Sequence, residues 1–278
     1  MWNFGPIFGV HFGVLVIGGE DPISNEPISK TACVAGDLMR VADGRPGAPP
    51  CAAAYVNRGI IMACTLAFVL GLRPEPFAFV PAYFYGTVEL AGPLPTMAVW
   101  RGLFGHVLIH GDVMHLVSNM LALWAFGDAV EEAMGSLRYL LFFLLCAAAG
   151  ALAEGALTAD PMAPLVGASG AICGVMGAYL LLHPQATLGL SPGPRIPASL
   201  VVGGFLGINV AMTLMPPAPD SGLADVAWGA HLGGFAAGMA LVTLLRRPGV
   251  VVWGAPRLNA AAKAAVYLTL VVVLLRTL

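Results

Sequence analysis

Apolar residues fall in long blocks along this chain, and most charged residues gather between the blocks rather than on one face of them. A membrane-spanning helix needs roughly 17–25 mostly apolar residues. Candidate spans run over 59–72, 115–133, 139–158, 165–182, 198–215 and 225–245, with a seventh over 260–275. The first is short unless it borrows 55–58, and the seventh is apolar apart from Lys263 near its start. The pattern predicts an all-α, polytopic membrane helix bundle of six helices plus a C-terminal seventh. Three parts follow: an N-terminal extension over 1–54, partly disordered; a six-helix domain over 55–247; and the last span within 248–278.

Two regions do not fit a plain bundle. The apolar stretch 4–17 is interrupted by His11 and has no basic residue ahead of it, so it makes a poor signal peptide. It is also short for a span, and the segment 1–36 reads as a peripheral or disordered extension, or as sequence ahead of a start at Met39. The second region, 73–105, is a long loop rich in Pro, Phe, Tyr and Trp, with Trp100 and Arg101 near its end. Loops of that length without structure of their own are usually functional. Its aromatics suit a membrane interface, so it is expected half-submerged in the outer leaflet.

Composition closes off other classes. Of the 278 residues 58% are hydrophobic and 10% charged, against about 25% charged in soluble domains. That excludes a disordered chain and leaves too little polar surface for a soluble enzyme. A net charge of -2 speaks against a nucleic-acid partner. Cys33, Cys51, Cys64, Cys146 and Cys173 lack metal-ligand spacing and are odd in number, so neither a zinc site nor a disulfide framework is expected. If the segment before residue 59 is cytoplasmic, every Lys and Arg except Arg73, Arg101 and Arg276 lies inside. The positive-inside bias therefore sets the N-terminus inside and the C-terminus outside.

Polar groups inside spans are costly and mark function by default. The second span opens with His106, His110 and His115, followed by Asn119; the fourth with Gly167-Ala168-Ser169-Gly170; the sixth carries His231, Gly234 and Gly238; the fifth carries Asn209. The second, fourth and sixth spans all enter from the outer face. Counted from that edge, His115, Ser169 and His231 each lie roughly 7–9 Å along a helix. Asn119 sits one turn beyond His115 on the same face. The row His231, Gly234, Gly238 and the row Ser169, Cys173, Gly177 would let two backbones approach closely.

A serine hydroxyl becomes a nucleophile when a neighbouring base takes its proton, and a neutral imidazole is such a base. Attack on a carbonyl creates an oxyanion that needs donors. Unpaired N–H groups at a helix start, the Asn119 amide and the His115 ring can supply them. No carboxylate is placed to orient His231, since Asp225 is nearly two turns away; the expectation is a Ser169–His231 dyad. Each piece has a plainer reading. A lone serine in a span bonds its own backbone more often than it reacts, and a lone histidine serves as well in a proton relay or a packing bond. Asn209 reads as an interhelical hydrogen bond, and Asp128, Glu131 and Glu132 as partners of Arg138 or water-facing groups. His106 and His110 read as interfacial. The coincidence of nucleophile, base and two donors at one depth outweighs the plainer readings.

The run HGDVMHLVSNMLALWAFGDAVE, then GASGAICGVMGAY, then WGAHLGGFAAG, in that order on alternate spans, resembles the rhomboid intramembrane serine proteases. The resemblance covers about 55–245. It implies Ser169 and His231 as catalytic residues, and His115 and Asn119 with the Ser169 N–H as the oxyanion hole. Gly167, matching the glycine of the family's GxSG motif, is counted with that hole, and Trp100–Arg101 matches the family's first outer loop. Cys173 departs from the pattern, standing where several members have an aromatic against the histidine. The resemblance implies a serine endopeptidase of the lipid bilayer that cuts transmembrane protein substrates near the outer face, without cofactor or metal. The expected location is a bacterial cytoplasmic membrane. The rivals are an inactive relative that binds client helices, and a small transporter, which would need broken helices in two internal repeats.

Overall fold

The computed structural model describes residues 54–87, 96–188, 196–218 and 220–253, together with the backbone of 14–15 and 190–191. The rest of the extension 1–36 and the apolar block 260–275 lie outside the described residues. Eight α-helices are described: α1 (Tyr55–Val69), α2 (Pro81–Tyr85), α3 (Thr96–Gly105), α4 (Val113–Met134), α5 (Ser136–Leu157), α6 (Ser169–Leu182), α7 (Ala198–Leu214) and α8 (Trp228–Leu245). Two-residue antiparallel pairings join 14–15 to 190–191 and 187–188 to 196–197.

Each of the first six apolar blocks contains a helix. Of these, α4, α5 and α8 are long and apolar enough to cross a membrane; α1, α6 and α7 are shorter apolar helices. The first block does borrow from 55–58, since α1 begins at Tyr55. The segment 73–105 is corrected: it is not one long loop, because it folds into α2 and α3. Pro81 at the first turn starts α2 and Gly86, with φ 64°, ends it. Arg101 Nε donates to the Pro76 carbonyl at 2.5 Å, and the Trp100 ring stacks on Phe104 with centroids 6.5 Å apart.

Glycines decide how α8 packs. A Cβ at Gly234 would overlap the Gly170 carbonyl oxygen, and one at Gly238 would overlap that of Gly174. On the adjacent face, a Cβ at Gly233 would stand 2.8 Å from the Ala149 carbonyl of α5. Helix α8 thus lies against both α5 and α6 with backbone nearly touching backbone, the small-residue contact that apolar surroundings favour. The meeting row on α6 is Gly170 and Gly174, with Gly177 against the Phe235 carbonyl. The expected row through Ser169 and Cys173 is displaced by one residue, which leaves Ser169 beside the seam instead of inside it.

The core beneath is aromatic and fully buried, built on Tyr139, Phe142, Phe143, Leu123 and Tyr179. Glu131 is corrected as well: it pairs with neither Arg138 nor water. It is 2% exposed, and its carboxylate accepts from the Val56 and Asn57 N–H groups at 3.2 and 2.7 Å and from Ser136 Oγ at 2.6 Å. It caps α1 from α4, satisfying N–H groups that a helix start leaves open. Asp128 pairs with Arg58 at 3.2 Å and accepts from Asn57 Nδ2 at 2.7 Å.

Candidate active site

Ser169 is the first residue of α6, His115 the third of α4 and His231 the fourth of α8. All three lie in the first turn of their helices. The count of roughly 7–9 Å along each helix is corrected, because each residue stands nearer its helix start than that and 165–167 is not helical. Leu165 instead pairs with Phe79 as an isolated antiparallel bridge, and Gly167 N–H donates to the His106 carbonyl at 2.9 Å. A non-helical segment, bridged at Leu165 and bent at Gly167 and Ala168, carries the backbone to Ser169, where the helix begins.

The Ser169 hydroxyl meets Nε2 of His231 at 2.8 Å. Ser169 is half-buried and His231 buried. The other ring nitrogen, Nδ1, meets Asn209 Oδ1 of α7 at 2.7 Å, so the expected interhelical bond of Asn209 falls on His231. The ring also has aromatic neighbours: Phe205 and Trp228, each with its centroid 6.0 Å away, the latter edge-on. Cys173, free and buried, does not leave the histidine without aromatic support. That support comes from α7 and from the start of α8.

Asn119 is buried, and its Nδ2 has no partner among the described residues. An unpaired buried amide is costly, and donors kept open in this way are suited to a charge that appears only during reaction. Gly167 has φ 110° and brings its Cα against His115: a Cβ there would stand 2.6 Å from Cε1 and Nε2 of that ring and 3.8 Å from Asn119 Nδ2. Ser169, His231, His115, Asn119 and Gly167 thus share one end of the α4–α6–α8 group. The first-turn N–H groups of α6 open onto the same end.

Two supporting groups escaped the sequence reading, and two histidines it did name are placed differently. Asp112 caps α4, accepting the His115 N–H at 2.9 Å; an Asp three residues before a histidine at a helix start is a legible cap signal. That bond holds the exposed Asp112 carboxyl below the ordinary carboxylate range. Glu154 of α5 accepts the Ala230 N–H at 3.0 Å and so caps α8 one residue before His231. His110 is buried, not interfacial, and its ring stands edge-on to His115 with centroids 5.1 Å apart. His106 is also buried, its Nδ1 bonded to the Gly102 carbonyl at 3.1 Å. Among the described residues no group of three or more His, Cys, Asp or Glu side chains is placed to hold a metal.

The model of the Rhomboid domain matches residues 97–248. The chain is similar to "Rhomboid protease GluP" of Bacillus subtilis, 31% identical over 163 residues, covering 58% of this chain and 29% of that protein. It is 32% identical over 143 residues to "RHOMBOID-like protein 12, mitochondrial" of Arabidopsis thaliana, covering 46% and 41%. "Rhomboid protein 1, mitochondrial" of Saccharomyces cerevisiae is 35% identical over 138 residues, covering 48% and 38%. The match spans less than half the length of each of these relatives.

Proposed function

The chain belongs to the rhomboid family, and we propose on that premise that it is an intramembrane serine endopeptidase working through Ser169 and His231. The observation that carries this reading is the 2.8 Å contact between Ser169 Oγ and His231 Nε2. His231 Nε2 takes the hydroxyl proton as Oγ attacks the peptide carbonyl. The oxyanion then lies among the Ser169 N–H, Asn119 Nδ2 and the His115 ring. His231 returns the proton to the leaving amine, an acyl-enzyme remains on Ser169, and water hydrolyses it with His231 again as base.

Substrates in this reading are transmembrane protein segments cut near the outer face. Water reaches Ser169 from that side, since the hydrocarbon supplies none. A helical substrate must unwind to present its carbonyl, which favours Gly, Pro or Ser near the cut. The six apolar helices span the bilayer with the N-terminus cytoplasmic, and 260–275 forms a seventh span. The extension 1–54, the protease domain 55–247 and the C-terminal part 248–278 make up the chain, in a bacterial cytoplasmic membrane. No metal or cofactor enters the scheme.

The test uses the full chain in detergent or proteoliposomes with a tagged single-span substrate. Ser169→Ala and His231→Ala each abolish cleavage while the protein still inserts. Full activity of Ser169→Ala ends the proposal. Labelling by a fluorophosphonate serine probe, lost in Ser169→Ala, separates the protease from a client-binding relative that does not cut.

A further inference from the structure

Asn209 lies in the middle of α7 and is 1% exposed. Its amide has one donating and one accepting end, and both are engaged. Nδ2 donates to the Phe205 carbonyl one turn earlier at 2.7 Å, and Oδ1 faces Nδ1 of His231 at 2.7 Å. A carbonyl oxygen only accepts, so the Phe205 contact orients the amide with its NH2 group towards Phe205. The opposite orientation would set two oxygens against each other at that distance. The oxygen that then meets His231 also only accepts, so the proton between them belongs to Nδ1. A neutral imidazole carries one N–H. With the proton on Nδ1, Nε2 holds the lone pair, and Nε2 is the nitrogen 2.8 Å from Ser169 Oγ. The chain of contacts from Phe205 through Asn209 and His231 to Ser169 thus runs in a single donor–acceptor direction.

We infer that Asn209 is a positioning residue of the active site, which selects the Nδ1–H tautomer of His231 and fixes its ring for proton transfer from Ser169. The inference rests on the reading of Ser169 and His231 as the reacting pair and assigns the third member that the dyad lacks. The opposite tautomer would turn an N–H towards Oγ and could not take the serine proton. When His231 becomes an imidazolium, Asn209 Oδ1 remains an acceptor for Nδ1–H. An amide does this without the desolvation that burying a carboxylate among apolar helices would require. Phe205 contributes twice, since its carbonyl orients Asn209 and its ring lies against His231.

The experiment compares Asn209→Leu and Asn209→Asp with the unaltered protein on the tagged single-span substrate. Nitrogen-15 spectra of labelled histidine are recorded alongside. Asn209→Leu, similar in size and without an acceptor, lowers kcat about 10–100-fold with KM unchanged, and its His231 signals move from the Nδ1–H pattern to a mixture of tautomers. Asn209→Asp restores an acceptor and recovers at least about tenfold in kcat. If Asn209→Leu does not fold, the Asn209→Asp variant and the spectrum of the unaltered protein carry the test. An Nε2–H pattern in the unaltered protein, or unchanged kcat in folded Asn209→Leu, overturns the inference. Cleavage that survives Ser169→Ala overturns the reading of the reacting pair instead, so the two failures are distinguishable.

Discussion

Gly167 presses its Cα against the imidazole of His115, leaving no room for a side chain: a Cβ would stand 2.6 Å from both Cε1 and Nε2. Its φ of 110° is itself a conformation that non-glycine residues rarely adopt. Gly167→Ala therefore displaces His115 or the chain leading into Ser169. Cleavage is expected to fall at least about 100-fold, the scale of losing an oxyanion donor, while the strain costs about 1–3 kcal/mol. Substrate cleavage together with a thermal midpoint separates the two effects. Unchanged cleavage would show that this packing does not matter to the reaction.

Asn119→Ala removes a buried amide whose Nδ2 is unpartnered among the described residues. Little stability depends on a donor with no protein acceptor, so the thermal midpoint is expected to hold. Turnover falls about 10–1000-fold at constant KM if the amide serves the oxyanion. Steady-state kinetics on one substrate checks this.

Glu131→Ala leaves the Val56 and Asn57 N–H groups without their acceptor. An unpaired buried donor costs about 1–3 kcal/mol, and α1 keeps its Asp128 and Leu123 contacts as polar anchors to α4. The midpoint in detergent is expected to drop by several degrees, with Glu131→Gln intermediate because one acceptor oxygen remains. A midpoint equal to the unaltered protein would show that α1 is held without the Glu131 cap.

Gly234→Ala sets a methyl into the Gly170 carbonyl and forces α6 and α8 apart. Stability and cleavage are expected to fall together, because the same seam brings Ser169 to His231. Gly203→Ala on α7, with nothing within 4 Å of its added Cβ, is the control. It is expected to be neutral or to stabilise by about 0.4–1 kcal/mol through reduced chain entropy. Thermal midpoints of the two variants decide.

The Asp112 carboxyl is held below its ordinary range, first by the His115 N–H it accepts. A depressed folded-state pKa contributes stability that is present above the unfolded value, near 4, and is lost as pH falls through the folded value. The unaltered protein is expected to lose this contribution only below about pH 4. Asp112→Ala lacks it at every pH. Midpoints compared between pH 3 and 7 should converge at the acid end, and a constant gap would contradict the sign.

The long apolar helices were legible because the composition leaves few exceptions: blocks such as 139–158 have no reading other than a buried or lipid-facing helix. Ser169, His231, His115 and Asn119 stood out for the same reason, as rare polar groups near the starts of apolar blocks. Asp112 carried a readable cap signal that lay unused in the motif. Glu154 and Glu131 were not readable in this way. Each acts on the start of a helix distant in sequence, and nothing local marks an acid as the cap of another helix. Asn209 was recognisable as a hydrogen-bonding group but not as a neighbour of His231, because its partner is chosen by how α7 meets α8.

By itself the sequence determined the class of the molecule, the order of its six longer apolar helices and the residue types capable of the chemistry, since these follow from local apolarity and from side-chain functional groups. Only the tertiary structure decided the seam of Gly170 and Gly174 against Gly234 and Gly238, the non-helical entry into Ser169 and the direction of hydrogen bonding through Asn209. Those depend on which helix faces meet. Periodicity offers every face of a uniformly apolar helix equally, so close packing makes the choice.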